Sequence, residues 1–193
     1  MSIISLIDTP INTKRSFFKI YNIQDKNLIN KCIQEIKDKL HDSIERQVGF
    51  FSDIVKEDYN YGTLKVSTAK PLTPSLSLLL DIINKEFNSD YNGILINYYK
   101  DGNNFIPLHS DSKNHPENGV LLISYGATRT LRIFNKKTGK LLNNIAAKEY
   151  EMMHMGGSFQ EDYLHDLKKE PEITQSRYSI SFHKYINAGL YNY

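Results

Sequence analysis

In the stretch IPLHSDSKN, His109 and Asp111 stand two positions apart directly after a run with the texture of a β-strand. In an extended segment residues i and i+2 share a face, so this imidazole and this carboxylate can reach one ion. Taken alone, the pair reads as a solvated strand end. The weight shifts at GGSFQEDYLHDL, where His165 follows a Gly-Gly turn and a polar stretch, 56 residues after His109. Two histidines and one carboxylate, with the H-x-D on a strand, are the donor set of the facial triad that holds non-haem Fe(II).

Such a triad leaves one side of the metal open. A bidentate 2-oxo acid and dioxygen would fill it, and the chain then needs a group for the acid's far carboxylate. Arg177 opens RYSISFH, whose alternation turns Arg177, Ser179, Ser181 and His183 to one face. A guanidinium grips a carboxylate through a planar fork that lysine cannot reproduce. Asn97 and Tyr99 in INYYKDG alternate in the same way and are placed to donate hydrogen bonds to that acid.

These side chains must be positioned by a folded scaffold. The 193 residues, 40% hydrophobic and 24% charged, suit one globular domain spanning 1–193 and are too apolar for disorder. A net charge of +2 selects no polyanionic partner by itself. The single cysteine, Cys32, excludes an internal disulfide and an all-cysteine metal cluster, and fits a reducing compartment. No apolar run has the length of a membrane span and the N-terminus lacks a leader pattern, so a soluble intracellular monomer with no membrane partner is expected, in cytoplasm, nucleus or a virus-infected cell.

From Asp25 to Asp42, Ile29, Ile33, Ile36 and Leu40 recur at helical spacing and predict an amphipathic helix, with His41 near its C-terminal end. A second helix is predicted over PSLSLLLDIINKEFN, entered at Pro74, with Leu76, Leu79, Leu80, Ile83 and Phe87 as its buried stripe. After Tyr91 the texture turns to short β-rich runs: GILINYY, GVLLISYG, RTLRIFN, EYEMMHM and RYSISFHKY. KKTGK reads as a hairpin turn with Gly139 at the position needing positive φ. Helices first and strands afterwards predict an α+β domain: helical support and a substrate lid in 1–90, and a β core in 91–186.

The run ILINYYKDGNNFIPLHSD, then GVLLISYGATRTLRIF, then MGGSFQEDYLH, then RYSISF, resembles the AlkB family of Fe(II)/2-oxoglutarate dioxygenases, above all its nucleic-acid demethylases. The resemblance covers Ile94 to Phe182 and extends faintly to RQVGFFSDIVKEDYNYG, which is similar to those enzymes' substrate lid. It implies a double-stranded β-helix (jelly-roll) core. It makes His109, Asp111 and His165 the catalytic iron ligands. It gives Asn97, Tyr99, Arg177, Ser179 and His183 to the 2-oxoglutarate pocket, and Arg46, Tyr59 and Tyr61 to substrate binding.

The chain departs from the family pattern at His183, where the closing strand usually ends in a second arginine. His183 either supplies a donor of its own or packs against a neighbour. Arg46 follows Glu45 where the family commonly has proline, and reads also as a solvated helix-end arginine. Tyr59 and Tyr61 have structural roles as their alternative. His154 reads as a satisfied core or edge histidine and His115 as solvated, while Lys100, Lys113, Arg129 and Arg132 are candidates for phosphate contacts.

The resemblance implies that Fe(II), 2-oxoglutarate and O2 act together: 2-oxoglutarate is decarboxylated to succinate and CO2 while a substrate C–H bond is hydroxylated. On an N-methyl group the product is a hemiaminal that expels formaldehyde. Alkylated DNA or RNA is then the expected partner, with bases such as 1-methyladenine or 3-methylcytosine extruded readily because they pair poorly. Three readings stand beside it: an oxygenase acting on a protein side chain or small molecule, a zinc hydrolase using the same three ligands, and a non-catalytic jelly-roll module that binds nucleic acid.

Overall fold

The structure is a computed structural model that describes residues 4–55, 64–111 and 118–185 together with 59–61; residues 59–61 and 64–67 are described as backbone only. The chain opens with a hairpin of β1 (Ile4–Asn12) and β2 (Ser16–Ile23) before helix α1 (Lys26–Ile36). There follow β3 (His41–Asp42), β4 (Gln47–Phe51), β5 (Tyr59–Tyr61), β6 (Leu64–Ser67) and β7 (Ala69–Lys70), then α2 (Pro74–Phe87). The remainder is β8 (Gly93–Tyr99), β9 (Ile106–His109), β10 (Val120–Gly126), β11 (Arg129–Asn135), β12 (Leu141–Ala147), β13 (Glu151–Gly157), the short α3 (Phe159–Asp162), β14 (Tyr163–Leu167) and β15 (Arg177–His183).

Two sheets face one another. The larger runs β1-β2-β13-β10-β15-β8-β4-β3, with β7 added in parallel to β4. The smaller runs β12-β11-β14-β9, and β5-β6 form a separate ribbon. Non-sequential neighbours such as β13-β10-β15-β8 are the crossing pattern of a jelly-roll, so the α+β fold with a double-stranded β-helix core is borne out.

Alternation along the large sheet sorts its side chains onto two faces. Ile94, Ile96, Leu121, Ile123, Met152, Ile180 and Phe182 point outward and pack with Leu28, Ile29, Ile33 and Ile36 of α1 and Leu76, Leu79, Leu80 and Ile83 of α2. Each such buried aliphatic contributes about 1.5–3 kcal/mol, so the helices are pinned to the sheet rather than to solvent. The opposite face sends Phe18, Ile20, Val120, Met153 and Met155 against Leu131, Ile133, Ile145 and Ala147 of the small sheet. Helix α2 starts as its sequence predicts, with Thr73 capping the Leu76 amide and Pro74 in the first turn.

Two expectations need correction. The predicted helix from Asp25 to Asp42 stops at Ile36: Lys39 N–H bonds to the Ile36 carbonyl in a turn, and Leu40 reaches the core from that turn. His41 therefore lies on β3, paired with Val48, and not at a helix end. Strands also precede and follow α1, so residues 1–90 are more than helical support and lid. β2 alternates Ser16, Phe18 and Ile20 inward and is paired on one side by β1 and on the other by β13, more than a hundred residues away.

Candidate active site

His109 ends β9, His165 sits at the middle of β14, and the ladder between these strands sets the two residues opposite each other. Their ring centroids are 4.3 Å apart. Asp111 follows just past the strand, its Oδ1 3.7 Å from His109 Nε2 and its Oδ2 3.7 Å from His165 Nε2. Separations of that size exceed a hydrogen bond. One donor atom from each residue lies within 4.8 Å of the other two, an imidazole-imidazole-carboxylate set that fits a transition-metal ion.

The local chemistry prepares these atoms. His109 Nδ1 is 2.8 Å from the Pro107 carbonyl oxygen, so a proton on Nδ1 is donated there and the Nε2 lone pair is left facing Asp111. Burial pushes the His165 pKa down to about 4, helped by the proximity of His109, which keeps its ring neutral and able to ligate. Burial alone would raise Asp111, but the electrostatic influence of the surrounding imidazoles, His109 first, holds its carboxyl well below the usual range. For His109, burial acts downward and is outweighed by Asp111, which sets its pKa above the ordinary value.

The wall facing this cluster comes from β8 and β15. Their register pairs Arg177 with Tyr99, Ser179 with Asn97 and His183 with Gly93, so the alternating residues of both strands line one cavity with the triad. Arg177 is 1% exposed; its guanidinium donates to Ser124 Oγ at 2.9 Å and lies 5.3 Å from the Tyr99 ring centroid. Its Nε has no hydrogen-bond partner among the described residues, and burial lowers its pKa, with Tyr99 acting in the opposite direction and no carboxylate among the described residues to offset it. An uncompensated buried cation costs several kcal/mol, and a ligand carboxylate is what would relieve it. Asn97 Nδ2 donates to Ser179 Oγ at 3.3 Å. His183 is 3% exposed, lines the cavity and makes a ring contact with Tyr185 at 5.6 Å.

Arg46 is no solvated helix-end residue. It precedes β4, lines the cavity, and its Nε donates to Asn97 Oδ1 at 2.6 Å. Tyr59 and Tyr61 lie on β5, their side chains outside the described residues. Leu95, Val120, Leu122, Leu131 and Met155 give the cavity an apolar lining.

The phosphate-contact candidates fare differently. Arg129 is 1% exposed, pairs with Glu170 at 3.1 Å and donates to the carbonyls of Asp101, Gly102, Asn104 and Lys168, so it is internal to the fold. Arg132 forks onto Asp166 through two nitrogens. Lys113 and His115 lie outside the described residues. His154 is the satisfied core histidine of the sequence reading, its Nε2 donating to the Asn118 carbonyl at 2.6 Å between the rings of Phe17 and Phe87.

Sequence reasoning missed two residues of the site. Ser124, the acceptor for Arg177, is a polar residue at an inward position of GVLLISYG. Gln160, within what read as a polar stretch, receives the Asp111 N–H on Oε1 at 2.9 Å and donates from Nε2 to Asp111 Oδ2 at 3.1 Å. A glutamine five residues before the second histidine was the only signal for it.

Among known proteins, the model of the 2OG-Fe(II) oxygenase superfamily matches residues 29–186. No curated protein matches the chain. A solved structure, "The structure of OsALKBH1", is similar with a TM-score of 0.65 at 9% identity, over 92% of this chain and 100% of that one. At that identity the likeness speaks for the fold, while the family match spans most of the chain and both sides of the cavity. The chain belongs to the 2OG-Fe(II) oxygenase superfamily, built on an AlkB-like fold, with a chemistry that draws on Fe(II), 2-oxoglutarate and O2.

Proposed function

We propose that this oxygenase removes N-linked alkyl groups, above all methyl groups, from bases of DNA or RNA. The observation that carries the reading is the second guanidinium in the cavity: Arg46 enters ahead of β4 and meets Asn97 beside the triad. It brings a cation from the very segment that resembles a substrate lid to the place where a flipped nucleotide would have to reach. The AlkB-like motif order, the fold likeness and the β5-β6 ribbon that follows β4 support the same reading.

In this reading His109, Asp111 and His165 hold the iron. When bound with 2-oxoglutarate and dioxygen, it supplies the oxidant that hydroxylates a C–H bond. The protein does the rest. Arg177 pairs with the distal carboxylate of 2-oxoglutarate and thereby selects a five-carbon dicarboxylate; Tyr99 packs beside it, and Asn97, Ser179 and His183 complete the pocket. Pro107 fixes the His109 tautomer, and Leu122, Leu131 and Met155 exclude water around the reacting atoms. Arg46, Tyr59 and Tyr61 receive the substrate, tyrosine faces being suited to stacking on an extruded base. The hydroxylated N-methyl group then loses formaldehyde and leaves the unmodified base. Residues 1–90, beyond the strands they add to the large sheet, act as support and lid for a catalytic core in 91–186, within a chain that works as a monomer. Among the described residues no helix is long and apolar enough to cross a membrane.

The test is succinate formation from 2-oxoglutarate by the purified protein with Fe(II) and ascorbate, with and without oligonucleotides carrying 1-methyladenine or 3-methylcytosine. Stimulated succinate with matching formaldehyde, lost in His109→Ala, is the expected result. Basal succinate that no methylated oligonucleotide stimulates would redirect the search to proteins or metabolites.

A further inference from the structure

Asp111 is the one member of the triad outside a strand: β9 ends at His109, whereas His165 lies within β14. Its backbone and its carboxylate are both gripped from elsewhere, by a single side chain. Gln160 of α3 accepts the Asp111 N–H at 2.9 Å and returns an amide hydrogen to Oδ2 at 3.1 Å. Gln160 is itself anchored. Lys136 Nζ donates to the Gln160 carbonyl at 3.1 Å and to Ser110 Oγ at 2.9 Å, bridging the two segments that meet at the carboxylate. Phe159, beside Gln160, is fully buried in the inter-sheet core and fixes the short helix.

From this geometry we infer that Gln160 is the positioning residue for the metal-binding carboxylate, with Lys136 as its brace. The assignment rests on the reading of His109, Asp111 and His165 as metal ligands. A carboxylate outside a strand ladder can rotate about its own side-chain bonds and offer either oxygen or both. An amide that binds the backbone N–H and Oδ2 together stops that rotation and commits one lone pair of Oδ2. Each carboxylate oxygen lies 3.7 Å from one of the two imidazoles, so it is the Gln160 bond to Oδ2 that makes Oδ1 the oxygen left to ligate. One carboxylate oxygen instead of two keeps a coordination position open for the co-substrate. Hydrogen-bonding partners of this kind typically contribute 10–100-fold in metal affinity.

The experiment compares wild type, Gln160→Met and Lys136→Met by anaerobic Co(II) titration, reading both the dissociation constant and the visible d–d spectrum, with the melting temperature of the metal-free protein as a fold control. Methionine keeps the volume of glutamine and removes both hydrogen bonds. The expected result is Co(II) affinity about 10–100-fold weaker in Gln160→Met, a smaller loss in Lys136→Met, an altered d–d band, and metal-free melting temperatures close to wild type. Wild-type affinity and spectrum in Gln160→Met would overturn the assignment while leaving the triad intact. Should Gln160→Met not fold, the exposed Lys136→Met decides: unchanged affinity and spectrum there overturn the clamp. If the wild-type protein binds no Co(II), the triad reading itself fails, and the clamp with it.

Discussion

Arg177 lies directly across the β8-β15 ladder from Tyr99, buried under that ring with its Nε unpartnered among the described residues. This arrangement makes little sense for stability and good sense for binding. A buried cation with no counter-ion among the described residues stands ready for a carboxylate, and its desolvation has been met by folding before the ligand arrives.

Replacing Arg177 by methionine should therefore separate binding from stability. Loss of the guanidinium should weaken 2-oxoglutarate binding by roughly 2–5 kcal/mol, a factor of about 30 to several thousand. The ligand-free protein should melt no lower than wild type, because an unpaired buried charge has been removed. Isothermal titration with 2-oxoglutarate and thermal melting on the same sample check both; a large drop in ligand-free stability would contradict this account of Arg177.

Metal removal should abolish turnover without unfolding the chain. The three ligands are carried by β9, its following turn and β14, all of which pack through the small sheet irrespective of an ion. Chelation should stop succinate formation, Fe(II) should restore it, and Zn(II), which has no redox chemistry, should not. Circular dichroism should stay unchanged throughout.

Acid should destabilise the fold through His154. Burial lowers its pKa to about 4 in the folded protein, from an unfolded value near 6.5, with the charge of Lys19 acting in the same direction. Between those values the unfolded chain binds the proton and the folded chain does not, so stability rises with pH across this window and is lost on acidification through it. The loss amounts to roughly 3 kcal/mol by pH 4. Urea denaturation between pH 7 and pH 4 should show it, and His154→Leu should flatten that part of the profile.

Arg129 is the opposite case to Arg177, a buried guanidinium that is fully partnered. It holds Glu170 and four carbonyls of the segments around β9 and β14. Glu170, which burial would raise, is kept below its ordinary pKa by hydrogen bonds from Thr130 and Arg129. Gly102 completes this joint: a Cβ there would lie 1.6 Å from the Glu170 carbonyl oxygen. Arg129→Ala should cost about 3–5 kcal/mol, measured by denaturant unfolding. A near-neutral effect would mean that the joint reorganises freely.

Much of the site was legible in the chain itself. The i, i+2 rule is local, so the sequence by itself determined that Arg177, Ser179 and His183 lie on one face of their strand and that Asn97 and Tyr99 lie together on one face of theirs. It also determined α2, because Thr73, Pro74 and the stripe of Leu76, Leu79, Leu80 and Ile83 are mutually consistent. What lay beyond it was every relationship set by pairing between distant segments. His109 meets His165 only because β9 docks on β14, and Arg46 meets Asn97 only because β4 lies beside β8. The same holds for Gln160 on Asp111, for the burial of Arg129, and for the early end of α1, where a turn delivers Leu40 to the core as well as a further helical turn would have. Local periodicity tells which face a side chain takes, whereas strand order and register decide what that face meets, and these are fixed by burial summed over the two-sheet core.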